Sequence, residues 1–447
     1  MNLALKFVKE PKLFVRNLNA ANLKKFLRYL RRMNALTLER KIDSRLRNYN
    51  PDSFEQVSTS AQSPPDVEGV LHERFVTLRP IHVFTIPRTE RRLNMVTDSI
   101  NSESLFGGVA TAIILSALLA DSWECDLRII TRTGKAEKRN FSLILQANGI
   151  PFFRNVEFLY VDYNDSMAEV PVGDGDVFLT TSWWTTKSVK DVLGEKRVIY
   201  LLQEDERTFY PFGDDHIRST QILSSPGLQF IINTKLLYDY FVSQGFENIR
   251  EHGLWFEPSW SQKLFYYDHR EPKGKKNFFY YARPNNLRNL FYLGLEVIKI
   301  AATTGVLNPD EWNIYFVGNN IPPLCIRDGY NPHFCQNLNW SDYAALVRKM
   351  DLGLCLMYSP HPSYPPLDLA ASGAVAVTAR YSNKHSLNNY SRNILCCQLD
   401  VDSLVHGIEN GVKLATNYHK RIRNYNKNRI LRDWTISFNG ILNKLKW

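Results

Sequence analysis

Residues 278–318 read FFYYARPNNLRNLFYLGLEVIKIAATTGVLNPDEWNIYFVG. FFYYA is a short aromatic run of the kind that forms a buried strand, and Pro284 ends it. RNLFYLGLEVIKIAA carries apolar residues at helical spacing, and WNIYFVG is a second apolar strand closing at Gly318. Strand, helix, strand in that order predicts a parallel crossover unit covered on both faces. The pattern continues through SDYAALVRKM, LGLCLM, PLDLAASG and AVAVT. Upstream, from about residue 79, LNMVT, GGVATAIILSALLA, DLRIIT, VEFLYV, DVFLTT, RVIYLL and QFIINT form a matching series. Polar DHREPKGKKN (268–277) separates the two. The expected fold class is α/β: two Rossmann-like lobes, residues 79–267 and 277–430, facing a central cleft. Residues 431–447 read as a final amphipathic helix packing back toward the first lobe.

Composition agrees with a folded body. A hydrophobic fraction of 44% with 13% aromatic residues argues against disorder, and 447 residues exceed one ordinary core. No apolar run reaches the roughly 18–20 residues that span a bilayer. The start, MNLALKFVKE, is charged at positions 6, 9 and 10 and lacks the apolar core of a secretory signal, which predicts a cytoplasmic protein. The six cysteines form no CxxC pair and read as buried free thiols of a reducing compartment.

The net charge of +10 is local. Residues 1–50 hold thirteen Lys/Arg against Glu10, Glu39 and Asp43, while the other 397 residues hold 42 basic and 42 acidic side chains. Within that arm, ANLKKFLRYLRRMN sets Leu23, Phe26, Leu27, Leu30 and Met33 at helical spacing among basic residues. Such a helix either lies on an anionic membrane surface or docks its apolar stripe on its own body. The neutral body does not repeat the basic signal, so nucleic acid is not an expected partner. Residues 51–70, rich in Pro and Ser, read as a linker.

In open α/β sheets, ligands bind beyond the carboxyl ends of strands, where helix N-termini offer free N–H groups. Arg283 and Arg288 lie on one such strand-to-helix turn, and two guanidinium forks suit a diphosphate. A second turn, SPHPSYPPLDLAASG, places Asp368 in the first turn of a short helix. There it accepts ribose hydroxyls or merely complements the helix dipole. Pro365 and Pro366 remove backbone donors from that loop, so phosphate binding leans on the arginines, Ser363 and the Tyr364 hydroxyl. His361 lies at a strand's carboxyl end, as a polar contact to sugar or phosphate or as a shaper of the loop. Gly318, at the end of WNIYFVG, joins the nucleotide-sugar-binding set. In the first lobe, Gly107 and Gly108 form a helix-entry loop that lets backbone approach a ligand. Glu204 and Asp205 follow strand RVIYLL, where an acid can orient or deprotonate a hydroxyl. Asp174-Gly175-Asp176 imitates a metal motif but precedes its strand, at the end away from a cleft ligand, so no metal site is expected.

These turns carry a resemblance. GT-B glycosyltransferases of the large retaining family 4 have a GR-x4-K turn, then E-x7-E and an AxG ending. Arg283 and Arg288 keep that spacing, with Ala282 for Gly, and Asp368 falls on the second acid; Pro360 stands at the first. HPSYPPL and FYARP resemble the WsaF-type bacterial rhamnosyltransferases more specifically, as do NSESLFGGVATA and QEDERTFYPFGDD, over about residues 90–447. The resemblance implies transfer from a dTDP- or UDP-sugar, most specifically dTDP-L-rhamnose, to a surface glycan or lipid-linked acceptor. It also implies retention, no metal and no separate cofactor. A sugar-nucleotide epimerase of the same fold and a non-catalytic sugar-nucleotide- or glycan-binding module are the alternatives.

Overall fold

The computed structural model describes residues 66–101, 107–268, 274–327 and 329–446. The basic arm lies outside the described residues. Residues 67–70, read above as the end of a linker, instead open a short exposed helix, Val67–Arg74.

The strands are β1 (His82–Thr85), β2 (Arg92–Thr97), β3 (Asp126–Thr131), β4 (Val156–Tyr160), β5 (Glu169–Val172), β6 (Asp176–Thr180), β7 (Val198–Leu202), β8 (Gln229–Asn233), β9 (Gly253–Phe256), β10 (Lys276–Ala282), β11 (Trp312–Gly318), β12 (His333–Gln336), β13 (Leu352–Cys355), β14 (Val375–Ala379) and β15 (Ile394–Cys397). They form two fully parallel sheets, ordered β4-β3-β2-β6-β7-β8-β9 and β12-β11-β10-β13-β14-β15, plus a small β1-β5 pair. The two-lobed α/β architecture read from the sequence is the one observed.

Each sheet is covered on both faces because alternate residues point to opposite sides. In β7, Ile199 and Leu201 join one apolar cluster, while Val198, Tyr200 and Leu202 join another. The second sheet is likewise packed between two clusters. Both sheets reverse winding direction once, between β2 and β6 and between β10 and β13. At such a switch the loops diverge to opposite faces and leave a crevice at the carboxyl edge.

The chain crosses between lobes twice, and the crossings are tied together. The Trp260 amide donates to the Leu431 carbonyl at 2.8 Å, and Ser259 Oγ donates to the Asp433 carbonyl at 2.8 Å. The terminal helix, Trp434–Lys444, then packs on the first lobe. Its Trp434, Phe438 and Ile441 share a core with Leu93, Leu115 and Phe256. Trp123 Nε1 caps the arrangement by donating to the Leu445 carbonyl at 2.8 Å.

Phe438 is fully buried, with its ring 4.6 Å from that of Phe256 and 5.3 Å from that of Trp434. Phe438→Ala should cost about 3–5 kcal/mol in urea unfolding. Ile436→Ala, on the helix's exposed face, should stay within about 0.5 kcal/mol. Equal costs would mean that the helix is not docked through this face.

Candidate active site

The two crevices face each other and enclose a cleft of about 530 Å³. Its walls include residues at the carboxyl ends of the switch-point strands: Thr97, the last of β2, with Asp98 after it, Ser182 after β6, Arg283 after β10, and His361 and Ser363 beyond β13.

On the second-lobe wall, Arg283 follows β10 directly, with Nη1 3.3 Å from the Tyr281 hydroxyl. Arg288 lies on a single 3-10 turn, Leu287–Asn289, rather than on the long helix, which starts only at Phe291 after a left-handed Leu290. Its side chain is 18% exposed, its guanidinium lies 4.0 Å over the Phe209 ring, and its nearest anion is Glu204 at 3.9 Å. Nε has no hydrogen-bond partner among the described residues. Burial lowers the Arg288 pKa, with Glu204 opposing the shift and Arg283 adding to it. Gly318 lines the same wall, and a Cβ there would run into the Ala282 carbonyl just before Arg283.

The loop after β13 is built around His361. Its Nδ1 accepts the Ser363 amide at 3.0 Å, which places the ring proton on Nε2. Nε2 lies buried on the cleft without a partner among the described residues. Burial, with the Lys384 and Arg288 charges, pushes the imidazole down to about 3, so it is a neutral donor at working pH. Lys384, which no sequence signal marked, is fully buried and donates to the His361 carbonyl at 3.0 Å. Ser363 lines the cleft with a left-handed backbone (φ +68).

Two readings of this loop change. The Tyr364 hydroxyl does not face a phosphate; it bonds Thr111 Oγ1 at 2.7 Å and Asn233 Nδ2 at 2.9 Å, pinning the lobes together. Gly107 (φ +63) accommodates this, since a Cβ there would lie 3.2 Å from the Tyr364 ring. The helix begins at Tyr364, so Asp368 is its fifth residue and not in the first turn. The carboxylate is buried and held by Trp260 Nε1 at 2.6 Å and the Tyr343 hydroxyl at 2.7 Å. Each oxygen thus takes one donor from the protein, and the residue still lines the cleft. Burial pushes Asp368 up to about 7 against those two donors.

On the first-lobe wall, Gly108 opens the helix Gly108–Ser122, and its carbonyl accepts from Gln203 Nε2 at 2.8 Å. None of the three acids after β7 is solvated; all are buried. Glu204 faces the cleft and bonds Ser359 Oγ of the other lobe. Asp205 does not line the cleft, because its carboxylate is spent on a bidentate pair with Arg207, both contacts at 2.8 Å. That removes Asp205 from the catalytic candidates. Glu206 takes its place, with Oε2 accepting from the Trp183 amide at 2.7 Å and the Tyr200 hydroxyl at 2.8 Å. Asp98 was also missed, although its position directly after strand LNMVT obeys the carboxyl-end rule.

Away from the cleft, Asp176 is bound by Arg92 (Nε to Oδ1, 2.6 Å) and Asn94 (2.9 Å). Among the described residues no group of three or more His, Cys, Asp or Glu is placed to hold a metal ion. The cysteines are free, but only Cys125 and Cys355 are buried; Cys335, Cys396 and Cys397 are half-buried and Cys325 is exposed.

Burial pushes Glu206 up to about 8. The folded protein therefore keeps a proton that the unfolded chain releases near its ordinary 4.5, and stability falls as pH rises from about 5 to about 8. Glu206→Gln should remove up to about 1.4 kcal/mol per pH unit from that slope in urea unfolding. An unchanged slope would mean that Glu206 is ionised in the fold.

Comparison with known proteins follows the same division into lobes. The model of the WsaF N-terminal domain matches residues 92–234, and that of the WsaF C-terminal domain matches 276–409. The O-antigen biosynthesis protein RfbC of Myxococcus xanthus is 28% identical over 270 residues, covering 55% of this chain and 19% of that protein. The chain thus spans about a fifth of that relative's length. Anabaena HepE, solved with UDP and glucose, aligns with a TM-score of 0.57 at 12% identity, covering 79% of this chain and 98% of HepE. Sucrose-phosphate synthase from Thermosynechococcus elongatus gives 0.52 at 10% identity, covering 78% and 97%. At these identities the likeness speaks to fold alone. With both WsaF domains matched in order along one chain, this protein belongs to the WsaF family and has the GT-B fold.

Proposed function

We propose that this protein moves L-rhamnose from dTDP-L-rhamnose onto a bacterial surface glycan or its lipid-linked precursor, with retention and without a metal. The observation that carries the donor reading is the pair Arg283 and Arg288 on the cleft, one of them largely buried, its Nε without a hydrogen-bond partner among the described residues and only 3.9 Å from the nearest anion, Glu204. A buried guanidinium with a free donor calls for an anion, and a diphosphate satisfies both arginines at once. The choice of rhamnose rests on the WsaF family and on HPSYPPL and FYARP. The choice of glycan rests on RfbC being named for O-antigen biosynthesis.

In this reading the bond from sugar C1 to the diphosphate oxygen breaks as C1 bonds the acceptor oxygen, and the acceptor's proton leaves with the nucleotide. Arg283 and Arg288 stabilise the charge that gathers on the departing phosphate. The neutral His361 donates through Nε2 to the sugar or phosphate, in the place where Pro360 supplies no carboxylate. Arginines that supply the positive charge make a divalent cation unnecessary. The basic segment 1–50 holds the enzyme at the inner face of an anionic membrane, beside a lipid-linked acceptor.

A panel of nucleotide sugars offered with and without a rhamnose-terminated acceptor should release dTDP only from dTDP-L-rhamnose, and only with acceptor present. Arg283→Ala should lower kcat/KM by about 100–1,000-fold. Isomerised nucleotide sugar appearing without acceptor would identify an epimerase, and binding without turnover of any donor would identify a binding module. For the arm, the full chain should float with anionic liposomes and a form lacking residues 1–50 should not. Equal flotation would remove the membrane role.

A further inference from the structure

The loop that follows β14 joins several parts of the cleft without lining it. It folds back on itself in a bridge between Tyr381 and Lys384. Asn383 Nδ2 reaches the first lobe and donates to the Leu236 carbonyl at 2.8 Å, on the helix Lys235–Ser243. The Tyr381 ring packs against that lobe's core, its centroid 6.4 Å from that of Tyr240 and 4.6 Å from that of Tyr358 on the His361 loop. Lys384 then enters the second lobe, where it is fully buried.

The Lys384 ammonium closes the His361 loop on itself. Its Nζ donates to the His361 carbonyl at 3.0 Å and, more weakly, to the Met357 carbonyl at 3.4 Å. These acceptors lie at the two ends of residues 357–361, so the lysine fixes the whole segment. Inside it, Ser359 Oγ accepts the His361 amide at 3.0 Å and donates to Glu204 of the first lobe. The Tyr358 amide donates to the Arg288 carbonyl at 2.8 Å, which ties the same segment to the arginine turn.

A neutral amide could make such bonds. A buried ammonium is costlier, because burial strips its water, and Lys384 forms no ion pair among the described residues to offset that. The carboxylate that acts on its charge is Glu204, which belongs to the other lobe. Burial pulls the lysine down to about 8, with Glu204 opposing the shift. Glu204 also lies 3.9 Å from Arg288, so two cations of the second lobe face the same first-lobe carboxylate. Parting the lobes would withdraw both Glu204 and the Leu236 carbonyl, and would leave the Lys384 charge without its counter-anion. We infer that Lys384 is a positioning residue that holds the His361 loop with Nε2 on the cleft, and that Glu204 and Asn383 make this hold depend on the first lobe being in place. Lys384 itself touches no cleft ligand. What Nε2 then does for a sugar diphosphate rests on the donor reading above; the hold on the loop does not.

Two readouts on the full chain test it. In nitrogen-15 NMR of histidine-labelled, ligand-free protein, the His361 ring is assigned by its loss in His361→Ala. It should be the neutral tautomer protonated on Nε2 and stay so down to about pH 5. Lys384→Met keeps the volume but removes the donor and the charge, and should free the ring to titrate between about pH 5 and 7. Lys384→Gln keeps a donor, should stay closer to the unaltered protein, and serves if the methionine variant does not fold. Asn383→Ala should loosen the ring in part. By calorimetry, His361→Ala and Lys384→Met should each weaken dTDP binding about tenfold, and the double variant should be no more than about twofold weaker than the worse single one. An unchanged His361 ring in the Lys384 variants overturns the inference, and so do losses that multiply to about a hundredfold. An unchanged ring in Asn383→Ala overturns the dependence on the first lobe. Unmoved dTDP affinity in His361→Ala counts against the donor reading of the loop instead, while the ring spectra still decide the role of Lys384.

Discussion

A parallel sheet that winds both ways must leave one crevice at its carboxyl edge, where successive crossovers part to opposite faces. This chain has two such sheets, and the crevices between β2 and β6 and between β10 and β13 are opposed. The arrangement works only if the two lobes are held in register. Several ties do this: Tyr364 to Thr111 and Asn233, Glu204 to Ser359, the bonded pair of crossover segments, and a terminal helix returned to the first lobe. Trp260, on one crossover, reaches into the second lobe to bond Asp368. The carboxylate at the family's second acidic position therefore serves the joint between lobes.

The cleft is where the fold leaves polar groups unsatisfied. Arg288 Nε and His361 Nε2 are buried donors without hydrogen bonds among the described residues, and each such group costs about 1–3 kcal/mol. Both belong to the cleft lining, on the second-lobe wall. That pattern fits a site prepared for an anionic ligand, whose oxygens would take the free donors. The opposite wall gathers carboxyl groups instead: Asp98, Glu204 and Glu206.

Much of this was legible in the sequence, and the gaps have physical causes. Fully buried parallel strands announce themselves as continuous apolar runs, so DLRIIT, RVIYLL and WNIYFVG were readable. The short β1, β5 and β12 lie at a sheet edge or outside the main sheets and lack such runs, and the apolar β15 is an edge strand of only four residues. Arg283 and Arg288 were placed by their position after a strand, a rule of topology that survives folding. Side-chain direction does not follow from that rule. Asp205 and Glu206 are adjacent, and only the path of the backbone turns Glu206 to the cleft while Arg207 captures Asp205. Lys384 and Trp260 reach the site from distant segments, through contacts that no local spacing encodes.

The central claim is that the arginine turn and the His361 loop together bind a nucleotide diphosphate. A crystal structure with dTDP bound tests it most directly. The account predicts phosphate oxygens within about 3 Å of the Arg283 and Arg288 guanidinium groups, with His361 Nε2 turned toward the terminal phosphate. A diphosphate bound elsewhere in the cleft, leaving Arg288 Nε without a hydrogen bond, would contradict it.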